Sequence, residues 1–290
     1  MIANPSTLVR PRAHSQPKLD IAYTPDSDDV FNYYAWEQGK LGLAHTRYRP
    51  RFFRDHIIAL NRAAEAGRYD VVGVSSVAYP RLAEDYAVLA SGNSIGRGYG
   101  PVLVSKQHDH AAELRGKRVG VAGIPTTGGC LALMYCPAAE YIEMPYDRIA
   151  DAVADGRLDA GVMIHEELLF YPEKGLHRVL DLGEAWCDET GLPLPVGLNL
   201  VRKSLGPKLV HDIAATCRKS MRWANENFEE AFAFASGFGR GCAAHHVALF
   251  SNSDTYCLPE DAREAIGLMC KRIARLGLGP SVKSLEVIDA

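Results

Sequence analysis

The chain has 290 residues, 47% hydrophobic and 23% charged, with a formal net charge of −3. This is ordinary globular composition, enough for one large domain or two smaller ones. No basic block points to nucleic acid or a membrane surface, and no apolar run approaches the roughly 18 residues that span a bilayer.

Met1 to Lys18 is rich in Pro, Ser, Arg and His and lacks the apolar core of a secretory signal, so it reads as a disordered tail. Leu19 to Tyr23 is the first strand. After Thr24-Pro-Asp-Ser-Asp-Asp29 the apolar positions switch to helical period, through Trp36. Asp28 or Asp29 can cap that helix. Capping explains one carboxylate, not three within four residues, so Asp28 and Asp29 are also candidates for binding substrate hydroxyls.

Arg47 to Phe53 reads as a strand and His56 to Ala66 as an amphipathic helix. Asp70 to Ser76 is a buried strand ending in two hydroxyls, Ser75 and Ser76, which suit helix capping, ligand contact or both. Ala87 to Ser105 reads as two strands around a loop with four glycines, a segment crossing between two lobes. A strand over Val119 to Ala122 leads into Gly123-Ile-Pro-Thr-Thr-Gly-Gly129 and a helix through Met134. Thr126, Thr127, Gly128 and the helix N-terminus form an anion-holding arrangement. No lysine follows the glycines, so a carboxylate or sugar fits better than a nucleotide triphosphate.

Ala160 to Ile164 is a short buried strand that ends on His165-Glu166-Glu167. In an open parallel sheet, ligands bind at the carboxyl ends of strands. An unperturbed imidazole titrates near pH 6.5, so His165 is the candidate general base. Glu166 could orient the imidazole or cap the next helix. Capping is favoured because adjacent strand residues point to opposite faces. Val179 to Gly183 reads as a strand, and Gly191 to Val201 as a turn and a second crossing strand carrying Asn199, a further candidate contact. Helices then cover Lys208 to Asn225, Phe228 to Phe238 and Pro259 to Leu276.

The seven cysteines, Cys130, Cys136, Cys187, Cys217, Cys242, Cys257 and Cys270, are odd in number and contain no Cys-x-x-Cys. Free thiols in a cytoplasmic protein are expected, with no metal site.

Strands alternate with helices and helices finish the chain, which predicts an α/β fold with mostly parallel sheets. The expected topology is two lobes, 19–103 with 203–290 and 104–202, and a cleft between them.

Four segments together carry a family resemblance: Ser91-Gly-x-Ser-x-Gly-x-Gly-Tyr-Gly-Pro101, Thr126-Thr127, Ile164-His165-Glu166 and Gly191-Leu-Pro-Leu-Pro195. From about Leu19 onward the chain resembles 1,4-dihydroxy-6-naphthoate synthase of the futalosine route to menaquinone. The resemblance implies a two-lobed, type II periplasmic-binding-protein-like fold, working in the cytoplasm with no metal or organic cofactor. It implies a lyase that acts on cyclic dehypoxanthine futalosine. His165 matches the family's proton acceptor. Gly73, Val74 and Ser75 fall on its first substrate-binding segment, and Thr127 and Gly128 on its second. The partner implied is a small-molecule carboxylate, without nucleic acid or membrane; a homodimer is left open. The chain departs from the family in four places, one of them near the end, where Phe250-Ser-Asn-Ser-Asp-Thr-Tyr256 only loosely resembles its Tyr-Val-Asn segment. The family's first turn usually reads Ser-Pro-Cys-Pro-Asn-Asp, a member can carry lysine where this chain has Gly73, and alanine is usual at Gly128. Two alternatives are a chorismate dehydratase of the same pathway, disfavoured by the Ile-His-Glu strand end, and a non-catalytic small-acid-binding protein, disfavoured by the expected lack of a signal or lipidated cysteine.

Overall fold

A computed structural model describes residues 16–44, 48–136, 140–239 and 243–289. Most of the expected tail, Arg47 and Cys242 lie outside the described residues. The chain opens with β1 (Lys18–Tyr23), α1 (Ser27–Glu37), β2 (Arg49–Arg54), α2 (Ile57–Glu65), β3 (Val71–Ser75) and α3 (Tyr79–Leu82). β4 (Tyr86–Leu89), β5 (Ser94–Gly96) and β6 (Val102–Ser105) follow. Next come β7 (Arg118–Val121), α4 (Thr127–Tyr135), β8 (Glu140–Glu143), α5 (Tyr146–Ala154), β9 (Ala160–Met163) and α6 (Glu167–Phe170). β10 (His177–Asp181), α7 (Leu182–Thr190) and β11 (Leu194–Arg202) complete the strand-rich part. The rest is helical, with α8 (Pro207–Glu226), α9 (Phe228–Ala235), α10 (Ala243–Phe250), α11 (Ser253–Tyr256) and α12 (Glu260–Arg275), before β12 (Val287–Ile288).

The described strands form two sheets. The first runs β12-β4-β11-β3-β1-β2, with β5 also paired to β11, and the second runs β10-β6-β9-β7-β8. Both are mixed rather than mostly parallel. β1 is parallel to β2 and β3, and β7 to β8 and β9, but β11 is antiparallel to β3 and β4, and β6 to β9 and β10. The reason lies in the chain path. β6 and β11 carry the chain between the sheets, so each enters its sheet from the end opposite to the strand–helix units.

α1 is apolar on nearly every side, with Val30, Phe31, Tyr33, Tyr34 and Trp36 buried, as a helix enclosed by others must be. It lies over β1 with Tyr33 stacked on Tyr23 at 4.6 Å, and it is covered outside by α8 and α9. α12 ties the two halves together: Ile266 packs in the core of the first sheet, while Met269 and Ile273 pack with Val121, Leu131 and Val162 of the second. No described helix is long and apolar enough to cross a membrane.

One local outcome differs from the sequence reading. The strand expected over Val179 to Gly183 ends at Asp181, whose Oδ1 accepts from the amides of Gly183 and Glu184 and starts α7. The glycine-rich loop before β6 is shaped by close packing. A Cβ on Gly100 would lie 2.9 Å from Gly183 Cα, and one on Gly183 would lie 2.3 Å from the Tyr99 carbonyl, so neither position admits a side chain.

Candidate functional site

The carboxyl ends of β1 and β3 in one sheet meet those of β7 and β9 in the other. Between them lies an open cleft, the kind of place where small-molecule sites form. It is lined by Thr24, Asp26, Asp28 and Asp29 after β1, by Gly73, Val74 and Ser75 of β3, by Thr126, Thr127 and Gly128 after β7, and by Ile164 and His165 after β9. The lining includes three carboxylates and one imidazole, and no described lysine or arginine. No described group of His, Cys, Asp and Glu side chains has the arrangement of a metal site.

His165 has φ +54, the only described non-glycine residue with positive φ. This left-handed conformation costs roughly 1–2 kcal/mol for an ordinary side chain. It turns the chain two residues beyond the end of β9. His165 Nδ1 lies 2.6 Å from Asp26 Oδ2, across the two sheets. Asp26 is buried, and the imidazole is about one-fifth exposed. A carboxylate on Nδ1 favours the tautomer with the proton there. In the neutral ring the lone pair then sits on Nε2. Tyr146 of α5 packs on the imidazole at 5.0 Å and fixes its plane.

The turn after β1 is knit through one hydroxyl. Thr24 Oγ1 is 2.7 Å from Asp26 Oδ2 and 2.7 Å from Asp29 Oδ2, and the Thr24 amide donates to Asp29 Oδ2 at 3.1 Å. Burial, and then the neighbouring carboxylate of Asp28, push the Asp29 carboxyl up to about 7. Ser27 donates from its hydroxyl to Glu166 Oε1 at 2.7 Å. Glu166 is therefore not a helix cap as expected. It stands at the start of α6 without bonding its amides and joins the two sheets instead.

Across the cleft, Thr126 caps α4. Its hydroxyl donates to the Gly123 carbonyl at 2.7 Å and accepts from the Gly129 amide at 3.2 Å. The Thr127 hydroxyl donates to the Val196 carbonyl at 2.6 Å. Both expected ligand hydroxyls thus make bonds inside the protein. The first-turn amides of Thr127 and Gly128 have no partner within a helix, as at any helix start, and these are the donors this turn offers. Gly128 sits hard against β9: a Cβ there would come within 2.9 Å of Ile164 and 3.0 Å of Val162.

Two expected contacts fall outside the lining. Ser76 points away from the cleft to the Pro195 carbonyl and Thr127. Asn199 is buried between Tyr33, whose hydroxyl donates to its Oδ1 at 2.7 Å, and Asn93, whose Oδ1 accepts from its amide at 2.9 Å. Ser76 follows Ser75 directly, and Asn199 lies inside β11, so their side chains are committed to packing.

Four residues were not singled out from the sequence. Asp26 was hidden because a capping role accounts for any one acid at a helix start, and Thr24 because a single hydroxyl after a strand gives no signal. Asn61, inside α2, gives no local signal, yet it donates to Ser75 Oγ and the Pro125 carbonyl and so pins β3 to the turn before α4. Phe250, at the end of α10, closes one wall of the cleft. It packs on Tyr99 from the glycine-rich loop at 5.6 Å.

Known proteins resemble this chain in sequence and in fold. Residues 19–275 match the family model described as menaquinone biosynthesis. The 1,4-dihydroxy-6-naphtoate synthase of Streptomyces coelicolor is 34% identical over 91% of this chain and 95% of its own length. That of Thermus thermophilus is 32% identical over 93% and 99%. A crystal structure of a protein from Archaeoglobus fulgidus superposes with a TM-score of 0.83 at 36% identity, over 91% of this chain and 99% of that one. The alkanesulfonate-binding protein of Xanthomonas axonopodis pv. citri has a TM-score of 0.70 at 13% identity, over 95% and 100%, which shows a periplasmic-binding-protein-like fold. The chain belongs to the menaquinone biosynthesis family.

Proposed function

We propose that this chain is a carbon–carbon lyase converting cyclic dehypoxanthine futalosine to 1,4-dihydroxy-6-naphthoate, with His165 as general base. The observation that carries this reading is the His165–Asp26 pair at the mouth of the cleft. Asp26 holds the proton of the ring on Nδ1, so Nε2 takes the substrate proton, and the carboxylate then stabilises the imidazolium. The bond to the sugar-derived portion breaks as the naphthoate ring becomes aromatic, which supplies driving force. The names of the two curated relatives support the product.

The substrate carboxylate would lie on the Thr127 and Gly128 amides and the N-terminus of α4. The sugar-derived hydroxyls would face Asp28, Asp29 and Ser75, whose side-chain oxygens can accept from them. The two sheets would act as two lobes, and closing them would exclude water and hold the reacting atoms in place. We place the protein in the cytoplasm, a reading that the six described free cysteines support.

The test is direct. Purified protein incubated with cyclic dehypoxanthine futalosine should yield dihydroxynaphthoate by mass, and His165→Ala should lower kcat by about 10²–10⁴-fold. Full activity in that variant would remove the base assignment. Turnover of chorismate instead would move the protein to a dehydratase, and stabilisation by small acids without turnover would make it a binding protein.

A further inference from the structure

We infer that Asp29 is a positioning residue that works as a carboxylic acid, donating its proton to Thr24 Oγ1 so that the Thr24 hydroxyl is committed to Asp26, the carboxylate that holds His165. The inference rests on the reading of His165 as the base.

The argument is one of counting protons. A threonine hydroxyl carries one. Thr24 Oγ1 nonetheless makes two contacts of 2.7 Å, both to carboxyl oxygens, Oδ2 of Asp26 and Oδ2 of Asp29. With both carboxyls ionised, one contact would set lone pair against lone pair at hydrogen-bond distance. A second proton resolves this, and it belongs on one of the two acids. Asp26 Oδ2 already faces His165 Nδ1 at 2.6 Å, which favours its charged form. That leaves the proton to Asp29. The contact of the Thr24 amide with Asp29, at 3.1 Å, is the longer one and is compatible with a hydroxyl oxygen as acceptor.

The surroundings of Asp29 point the same way. Its own turn contributes Asp26 and Asp28. From β1 and α1 it faces the phenols of Tyr23 and Tyr33, both held neutral by burial. Beyond Tyr23 lies Arg54, which is itself paired with Glu37. The Arg54 cation is thus already matched, and the imidazole of His165 is turned to Asp26. Burial and Asp28 push the Asp29 carboxyl up, in agreement with the geometry. In the resulting array Asp29 donates to Thr24, Thr24 donates to Asp26, and His165 Nδ1 donates to Asp26 from the other side, so Asp26 is the common acceptor.

The experiment compares wild type, Asp29→Asn and Asp29→Ala in pH profiles and in thermal melts. The asparagine side chain offers Thr24 an N–H donor at every pH, whereas the alanine side chain offers none. Wild-type kcat should decline above about pH 7 as Asp29 loses its proton. Asp29→Ala should lose roughly tenfold in kcat at pH 6. Asp29→Asn should recover most of that loss and lack the alkaline decline. Asp29→Asn as impaired as Asp29→Ala, or declining with pH as wild type does, would overturn the inference. The melts need no substrate, so they separate this inference from the proposed reaction. A folded carboxyl that holds its proton more tightly than the unfolded chain makes wild-type stability fall as pH rises from the ordinary carboxylate range to about 7. The melting temperature of Asp29→Asn relative to wild type should therefore rise across that interval. A difference that stays flat would overturn the inference even if the enzyme turns over its substrate.

Discussion

The turn after β1 and the turn after β7 occupy equivalent places. Each follows a strand with parallel neighbours and leads into a helix at the edge of the cleft. Their chemistry is opposite. The first turn of α1 carries Asp28 and Asp29, so acids of its own occupy the positive end of that helix, with the Asp28 carboxylate offsetting its charge. The first turn of α4 has no acid, and the Thr126 hydroxyl is used on Gly129, so the positive end of α4 is left to a ligand. One wall of the cleft therefore accepts hydrogen bonds and the other donates them. The contrast teaches that topology fixes where a ligand can sit, while a few side chains decide which way round it lies.

Variants on each wall should break this contrast in different ways. The largest effect is expected at Asp26. Asp26→Asn removes the charge that stabilises the imidazolium and should lower kcat by roughly 10–100-fold with KM little changed, within the total a base contributes. Steady-state kinetics decide it, and a rise in KM alone would move Asp26 from the base to substrate binding. On the donor wall, Gly128→Ala should raise KM and cost about 1–3 kcal/mol, because the new methyl meets Ile164 and Val162 below normal contact distance. Denaturant melts and kinetics check both parts, and unchanged KM would mean that no ligand approaches these amides. The smallest effect is Thr126→Ala. It should cost about 1 kcal/mol of stability through the lost cap and leave kcat nearly intact, since the hydroxyl is spent on Gly123 and Gly129. A large fall in kcat would instead give Thr126 a direct role.

Much of the frame was legible from short apolar runs. β1, β3, β7 and β9 are buried strands bounded by turn residues, and the cleft lies at their ends. What was not legible lacks such a signal. β8, at the edge of its sheet, begins and ends on exposed glutamates. α7 begins where Asp181 turns a strand into a helix within one residue. The parallel bias was misjudged because strand direction depends on how the chain crosses between sheets, which no local pattern records. In the site, His165 was visible as a polar residue ending a buried strand. Asp26 was not, because its partner lies 139 positions away and three acids compete for one explanation. Ser76 and Asn199 carried the right chemistry with the wrong orientation.

The backbone at His165 has a further consequence for anyone who would make the protein sturdier. Glycine is the residue best suited to that torsion, and any search scored on melting temperature alone would drift toward it. The hardier molecule so obtained would keep its cleft and lose its imidazole. On the proposed reaction, durability and turnover are opposed at a single torsion angle, so thermostabilising libraries should hold this position fixed.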